Sequence, residues 1–287
     1  MKFARYTTGS QPHRGVLDTD SGSTRPLDGG LTDLTTLIEQ YDTLRDQLAS
    51  DGRALALDQV RLLAPVTPRR NIFCVGKNYR AHAKEFAGSG FEAGAVKGAE
   101  IDEYPAVFTK PPSSVVGHGD EVNLHPKVTS SVDYEAELAL IIGKGGRDIS
   151  PEHALEHIWG YTIVNDVTAR DRQKNHKQWF LGKALDTFCP MGPWVVTADE
   201  IDPKNLAIKC WVNGELRQDA HTSDLIFDIP TLISSISAGL TLQPGDVIAT
   251  GTPAGVGIGF NPPRFLKSGD EVSISISSIG TLTNRFR

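Results

Sequence analysis

Residues 131–143 form an apolar run that predicts a buried strand. Val, Ala, Leu and Ile dominate it, and glycines at 143, 145 and 146 follow its end, a pattern typical of strands. Because alternate side chains of a strand share a face, Glu135 and Glu137 are expected side by side. Two buried carboxylates are costly unless they bind a cation. The alternative is a solvent-facing strand edge with two ordinary glutamates.

The N-terminal part has a simpler pattern. Short strands are predicted over residues 2–6 and 14–17, and apolar residues recur at helical spacing from Leu34 to Leu48. This spacing predicts an amphipathic helix of about five turns, with Thr32 or Asp33 as N-cap and Gly52 at its end. The prolines of residues 62–68 disfavour helix. We therefore predict a small α/β domain over residues 1–68 and a larger domain over 69–287.

The larger domain is dominated by predicted strands. Asn213-Gly214 lies between two candidate strands at 207–212 and 215–218, a strong hairpin signal. A helix is predicted from Ile229 to Leu240 with Asp228 as N-cap. The expected fold class is α+β and β-rich.

Composition narrows the function classes. The chain has 287 residues and a net charge of -6, which argues against a nucleic-acid partner. Its three cysteines lack C-x-x-C spacing, so reduced thiols and a cytoplasmic location are expected. No apolar run is long enough to span a membrane, and the N-terminus lacks the apolar core of a signal peptide.

His82 and Glu85 form a candidate catalytic pair. They are three residues apart on a predicted helical turn, hence on one face. A carboxylate beside an imidazole orients it and raises its basicity, as a general base requires. The alternative is an ordinary surface contact. Residues 87–104 follow with little periodicity, and form either a lid over a site or a surface loop.

Further candidates lie at later segment ends. Asp166 follows a predicted strand over residues 161–164, at a position where strands commonly supply ligands. Lys183 stands in an apolar stretch next to Gly182, where it could stabilise negative charge or be a surface lysine. Residues 250–257 form a glycine loop that lacks the lysine of a phosphate-binding loop. Its amides and Thr252 could instead hold a carboxylate.

Residues 153–157 match the zinc-peptidase pattern H-x-x-E-H. On an α-helix, His153 and His157 would share a face. However, the predicted helix is short and no third zinc ligand stands out, so an exposed helix face is the preferred interpretation.

Five motifs in order along residues 70–287 resemble the fumarylacetoacetate hydrolase family. They are G-x-N-Y-x-x-H-x-x-E from Gly76, D-Y-E-x-E-L from Asp133, N-D-x-T-A-R-D from Asn165, W-x-x-G-K from Trp179 and T-G-T-P-x-G-V-G from Thr250. The resemblance implies a mixed β-sandwich roll with a small N-terminal domain, usually dimeric. The long glycine-rich stretch after Glu85 is distinctive in this chain.

The resemblance also implies roles for individual residues. Glu135, Glu137 and Asp166 would hold one Mg²⁺ or Mn²⁺ ion. His82 and Glu85 would activate water, and Lys183 would act in catalysis. Substrate contacts would come from Lys183, Arg170, Gln173 and Thr252.

These roles suit hydrolysis of a carbon–carbon bond in a small anionic 2,4-dioxo acid, such as an acylpyruvate or fumarylpyruvate. The same site could instead isomerise or decarboxylate a 2-oxo diacid, because both reactions pass through an enolate. A zinc peptidase and a non-catalytic metal-binding protein are the alternatives from other classes. The expected partner proteins are limited to a second copy of the chain.

Overall fold

The structure is a computed structural model that describes residues 1–27, 31, 33–46, 48, 54–91 and 102–287. Its strands are β1 (Lys2–Thr7), β2 (Pro12–Asp18), β3 (Ser23–Pro26), β4 (Leu55–Ala56), β5 (Arg61–Leu63), β6 (Ile72–Gly76), β7 (Ala106–Lys110), β8 (Val115–Val116), β9 (Glu121–Val122), β10 (Val132–Asp133), β11 (Ala136–Ile142), β12 (Ile158–Asn165), β13 (Thr168–Ala169), β14 (Cys189–Thr197), β15 (Ala207–Val212), β16 (Glu215–His221), β17 (Val247–Ala249), β18 (Glu271–Ile276) and β19 (Gly280–Phe286).

Helices are short and lie between the strands. The α-helices are α1 (Leu34–Leu44), α2 (Arg80–Ala87), α3 (Arg170–Asn175), α4 (Phe180–Lys183) and α5 (Ile229–Ser237), and 3₁₀ turns span Leu57–Gln59, Pro112–Ser114, Pro151–His157, Ala198–Glu200, Thr222–Asp224 and Gly257–Gly259. Among the described residues, no helix is long and apolar enough to cross a membrane.

Two stacked sheets organise the chain. The larger runs in the order β4-β3-β2-β1-β14-β12-β11-β17-β6-β7, with β5 beside β1 and β8 beside β14. The smaller, β16-β15-β18-β19-β9, packs against β11, β12 and β14. This strand-rich architecture confirms the predicted fold class. The pairing of β1 with β14 joins the N-terminal strands to the large sheet, and the boundary at residue 68 stays a prediction.

Strand β11 is buried on both faces. Leu138, Leu140 and Ile142 pack in the core between the two sheets. Ala139 and Ile141 point the other way, into a second core that includes residues of α1. A strand covered on both faces reads as a continuous apolar run, which explains the sequence pattern.

One parallel pairing positions the candidate site. β17 lies between β11 and β6, and its pairing with β6 is parallel, with Ile248 opposite Phe73. Adjacent parallel strands run in the same direction, so their carboxyl ends lie side by side at one end of the sheet. The turn after β6, which leads to α2, and the glycine loop after β17 therefore emerge side by side.

Several predicted elements have different limits. The run 131–143 is two strands, β10 and β11, interrupted at Tyr134 and Glu135. The first helix ends at Leu44 and not near Leu48. Asp33 is its N-cap, accepting a 2.9 Å hydrogen bond from the Thr36 amide. Thr32, Gly52 and much of 87–104 lie outside the described residues.

The predicted hairpin is confirmed. β15 and β16 pair in antiparallel register around Asn213 and Gly214. Both turn residues have positive φ, 52° and 79°, as a type I′ turn requires. Asp228 caps α5 as expected, although that helix ends at Ser237 and not at Leu240.

Candidate active site

Three carboxylates meet where β11 begins and β12 ends. Glu135 and Glu137 flank the first residue of β11, and Asp166 follows the last residue of β12. The two strands are antiparallel neighbours, and the Asp166 amide donates a 2.9 Å hydrogen bond to the Glu135 carbonyl. One carboxylate oxygen from each residue lies within 4.8 Å of the others. All three side chains are buried, which excludes the exposed-edge alternative.

Two of the predicted cations contact this carboxylate triad (Glu135, Glu137 and Asp166). Lys183 Nζ lies 2.7 Å from both Glu135 Oε2 and Asp166 Oδ2. Arg170 Nη2 lies 2.6 Å from Glu135 Oε1, and its Nε donates a 2.9 Å hydrogen bond to Asp133. Lys183 is buried, so it is not a surface lysine.

Lys110 is a third buried cation, which the sequence analysis missed. Its ammonium lies 2.6 Å from Asp166 Oδ1 and donates a 2.9 Å hydrogen bond to the Val167 carbonyl. Lys110 ends β7, two residues after Phe108, so the two side chains share a face of that strand. The alternation of side chains along β7 could have predicted that Lys110 is buried beside Phe108. However, a lysine followed by two prolines is more typical of the exposed end of a strand.

Glu137 differs from its neighbours because it has no cationic partner in the described part of the chain. Its Oε2 accepts a 2.9 Å hydrogen bond from the Gly251 amide. Burial, reinforced by Asp166 and Glu135, raises its pKa well above the usual range. Burial also acts to raise the pKa of Glu135, but Lys183 and Arg170 outweigh it and hold that pKa at about 2.

The cluster fits one hard divalent cation. Asp133 and the triad contribute four carboxylates, against Lys110, Arg170 and Lys183, so one negative charge is in excess when all four carboxylates are ionised. A cation would compensate Glu137 and would leave net positive charge for an anionic ligand. The cavity has about 10 Å³ of free volume, room for a metal ion or one water, so a larger ligand requires side chains of the cavity wall to move. Three carboxylate oxygens suit Mg²⁺ or Mn²⁺.

The candidate base lies on α2. His82 Nδ1 is 3.0 Å from Glu85 Oε2, and His82 is only 3% exposed. With Nδ1–H donating to the carboxylate, Nε2 is left as the acceptor, and it has no hydrogen-bond partner among the described residues. Glu85 Oε1 accepts a 3.0 Å hydrogen bond from the Gly255 amide, so the dyad has a fixed orientation.

The glycine loop holds carboxylates, but they are the protein's own. Gly251 binds Glu137 and Gly255 binds Glu85, while the amides of Gly257 and Ile258 bind Asp133. Gly251 and Gly255 have φ of 107° and 102°, which other residues rarely adopt. This loop therefore aligns carboxylates from three separate segments.

The other predicted substrate contacts line the same cavity. Gln173 accepts a 3.2 Å hydrogen bond from Arg170, and Thr252 Oγ1 accepts one of 2.8 Å from Gln218 Nε2. The hydroxyl hydrogen of Thr252 is thereby left for another acceptor. The lining residues are Val75, Gly76, Lys77, His82, Phe86, Glu135, Glu137, Arg170, Gln173, Trp179, Lys183 and Thr252. The individual roles of these residues stay predictions.

The zinc-peptidase pattern does not form a site. Residues 151–157 are a 3₁₀ helix with about three residues per turn, so histidines four apart do not share a face. His153 is exposed beside Glu156, whereas His157 is buried against the Lys144 carbonyl. In the described ranges, Glu135, Glu137 and Asp166 are the one group of potential metal ligands.

Comparison with known proteins identifies the family. Residues 71–287 match the fumarylacetoacetate hydrolase C-terminal family, and residues 1–65 match a family described as Rv2993c-like, N-terminal. The chain belongs to the fumarylacetoacetate hydrolase family, which confirms the resemblance. The boundary predicted at residue 68 falls between the two matched ranges.

Relatives with several activities share this fold. Oxaloacetate tautomerase YisK of Bacillus subtilis is 55% identical over 232 residues, 80% of this chain and 74% of that protein. A fumarylacetoacetate hydrolase from Exiguobacterium antarcticum is 44% identical, with TM-score 0.83 over 100% of this chain and 99% of that one. Maleylpyruvate hydrolase from Sphingobium sp. SYK-6, solved with manganese(II) and pyruvate, is 33% identical, with TM-score 0.80 over 100% and 98%.

Proposed function

We propose that this enzyme interconverts the keto and enol forms of a small 2-oxo diacid of the oxaloacetate type. The observation that carries the proposal is the position of His82, a buried imidazole that lines the same cavity as Glu135 and Glu137. Its Nε2 has no hydrogen-bond partner among the described residues. Proton transfer next to a carbonyl group needs a base close to a stabilised negative charge. The relative that is 55% identical is named an oxaloacetate tautomerase.

The proposed reaction divides between two groups of residues. A divalent cation held by the triad would supply Lewis acidity toward the 2-oxo group. His82, oriented by Glu85, takes the proton from C3, and water supplies a proton to the enolate oxygen. In the reverse direction, the enol oxygen loses its proton to water and His82 returns a proton to C3. Lys183 places positive charge beside the oxygen that becomes negative. Gln173 and Thr252 bind the substrate from the cavity wall.

Hydrolysis of a 2,4-dioxo acid is the second candidate, and it is the reaction that the sequence analysis favoured. The similarity to maleylpyruvate hydrolase supports it. In hydrolysis, His82 would take its proton from an attacking water and not from carbon. Tautomerisation comes first because the tautomerase is 55% identical over 232 residues, against 44% for the fumarylacetoacetate hydrolase and 33% for the maleylpyruvate hydrolase.

A substrate panel tests the proposal. The Mg²⁺- or Mn²⁺-loaded protein should speed the loss of the enol absorbance of oxaloacetate well beyond the rate with metal alone. Acylpyruvates, fumarylpyruvate and sugar-derived 2,4-dioxo acids should not be cleaved. If any of them were cleaved while the enol of oxaloacetate disappeared no faster than with metal alone, the assigned function would be hydrolysis and not tautomerisation.

A variant of the base tests the assigned roles. His82→Ala should lower the tautomerisation rate by about 10²- to 10⁴-fold, as expected for a general base. Any metal-dependent decarboxylation of oxaloacetate needs no such base and should fall much less, whereas Lys183→Ala should damage both. His153→Ala is the matched control, because His153 also pairs with a glutamate three residues on but is exposed. Equal losses of tautomerisation and decarboxylation in His82→Ala would mean that His82 orders the site and does not act as the base.

A further inference from the structure

Lys77 has an unusual position next to the cavity. It directly follows β6 and has φ of 55°, a left-handed conformation that is uncommon for a residue other than glycine. Such conformations cost free energy and occur preferentially at functional sites. Its side chain is only 8% exposed, and Lys77 lines the cavity beside His82.

Lys77 differs from the other cations of the cavity wall in its partner. Arg170 and Lys183 each bind two buried carboxylates of the site. Lys77 Nζ instead lies 2.5 Å from Oδ2 of Asp102, whose side chain is 21% exposed and does not line the cavity. Asp102 is therefore the partner that another carboxylate can replace with the least loss of buried contacts.

We propose that Lys77 binds the second carboxylate of a diacid substrate and exchanges Asp102 for it. The inference rests on the proposed function, in which the first carboxylate and the 2-oxo group lie at the triad. A 2-oxo diacid has one further negative charge, and Arg170 and Lys183 are already engaged by protein carboxylates. Lys77 is the remaining cation of the described cavity wall.

The exchange explains the selectivity expected of the site. A nearly buried ammonium without a partner is costly, and Asp102 provides one when no diacid is bound. A diacid supplies a replacement carboxylate, so the ammonium stays paired throughout. A monoacid or a 4-ester leaves the Lys77–Asp102 pair in place and gains no ion pair. Lys77 thus selects substrates with a second carboxylate.

Binding measurements test this without requiring turnover. Suitable probes are 3,3-difluoro-oxaloacetate, which has no C3 proton to lose, and its 4-methyl ester. Each is titrated calorimetrically into Mn²⁺-loaded wild type, Lys77→Met, Lys77→Arg and Asp102→Asn. Lys84→Met is the control, because Lys84 is an exposed lysine of α2 that does not line this cavity.

Lys77→Met should reduce the preference for the diacid over the ester by about 10- to 100-fold, the range expected for a charge-assisted hydrogen bond. Lys77→Arg should restore part of it, and Lys84→Met should leave it unchanged. Asp102→Asn removes the competing carboxylate and should tighten diacid binding while leaving ester binding as it was.

Two results would overturn the inference. One is a preference for the diacid that survives in Lys77→Met. The other is a parallel loss of diacid and ester binding in Asp102→Asn, which would make the ion pair purely structural. Should Lys77→Met fail to fold, Asp102→Asn decides alone. Failure of the proposed function would differ, since wild type would then bind the diacid with Lys77-dependent preference but not tautomerise oxaloacetate.

Discussion

Charge compensation distinguishes the members of the carboxylate triad. Asp166 has a lysine on each oxygen, and Glu135 is held between Lys183 and Arg170. Glu137 accepts a hydrogen bond from the Gly251 amide and has no cationic partner among the described residues. An isolated buried carboxylate destabilises the fold, so Glu137 has the most to gain from a bound cation.

Glu137→Gln should therefore abolish stabilisation by metal while leaving the metal-free protein at least as stable as wild type. The amide keeps the shape and removes the uncompensated charge. A ligand at 100 times its Kd stabilises a protein by about 2.7 kcal/mol, and thermal unfolding with and without Mn²⁺ measures this shift. Glu39→Gln, at an exposed position, is the control. An undiminished shift in Glu137→Gln would refute the assignment of this ligand.

Lys110→Met should destabilise the protein through Asp166. The substitution keeps an apolar stem of similar length but removes one of the two ammonium groups on a fully buried carboxylate. Breaking a buried pair costs about 3–5 kcal/mol. Urea unfolding of the metal-free protein measures the loss, with the exposed Lys127→Met as control. A loss no larger than that of the control would show that Lys110 is dispensable.

The glycine loop acts as one element because its amides align Glu137, Glu85 and Asp133 together. Gly259, two residues after this loop, packs so closely that an added Cβ would overlap the Glu85 carboxylate. Its φ is not in the left-handed region, so alanine there would bring no backbone strain. The end of the flexible Glu85 side chain would move instead, away from His82.

Gly259→Ala should thus lower kcat by about 10²-fold, the cost of misplacing a reacting group by about 1 Å, with little change in melting temperature. Gly9→Ala serves as control, because nothing lies within 4 Å of a Cβ added there. Steady-state kinetics and thermal unfolding of both variants provide the comparison. Wild-type kcat in Gly259→Ala would mean that Glu85 does not orient the base.

The sequence predicted which segments form helices and strands, but not the residues at which they begin and end. The hairpin around Asn213 follows local turn chemistry and was correct. Leu48 fits the helical spacing, yet α1 ends at Leu44 while Leu48 still packs against the same core, so apolar periodicity continued past the helix. The 3₁₀ form of residues 151–157 was missed because their composition suits both helix types.

Exposed apolar residues surround one edge of the large sheet. β7 ends the strand order and pairs with β6 alone among the described strands. Tyr104 and Val107 are 72% and 45% exposed there, and Phe180 and Leu181 of the neighbouring α4 are 41% and 42% exposed. An uncovered edge with apolar side chains is a liability that a second copy can remove.

The homodimer expected from the sequence stays a prediction, and this edge gives it a location. Light scattering should report about twice the chain mass of 31.1 kDa. Val107→Lys should shift the equilibrium toward monomer, because charge on an edge strand opposes association. A mass of 31.1 kDa for wild type at all working concentrations would contradict the prediction.

The site as a whole could be predicted only in part. The nine residues expected from motif order all lie in or beside one cavity, although they come from distant segments. Lys110 and Asp102 belong to none of the five motifs, so their part in the site depends on packing alone. Pairing between charged residues far apart in the chain has no local sequence signal.

The placement of β17 has a consequence for biosynthesis. It joins β6, and with it the α2 helix that carries His82, to β11 and the carboxylate triad. More than half of the chain is translated between β6 and β17. On the ribosome, β6 can pair with β7 early, but it cannot be joined to β11 until β17 has been made, since non-local strand pairing cannot precede its partner. Every earlier nascent chain therefore lacks part of the site, and His82 and the carboxylate triad come together only after β17 and the glycine loop have been made.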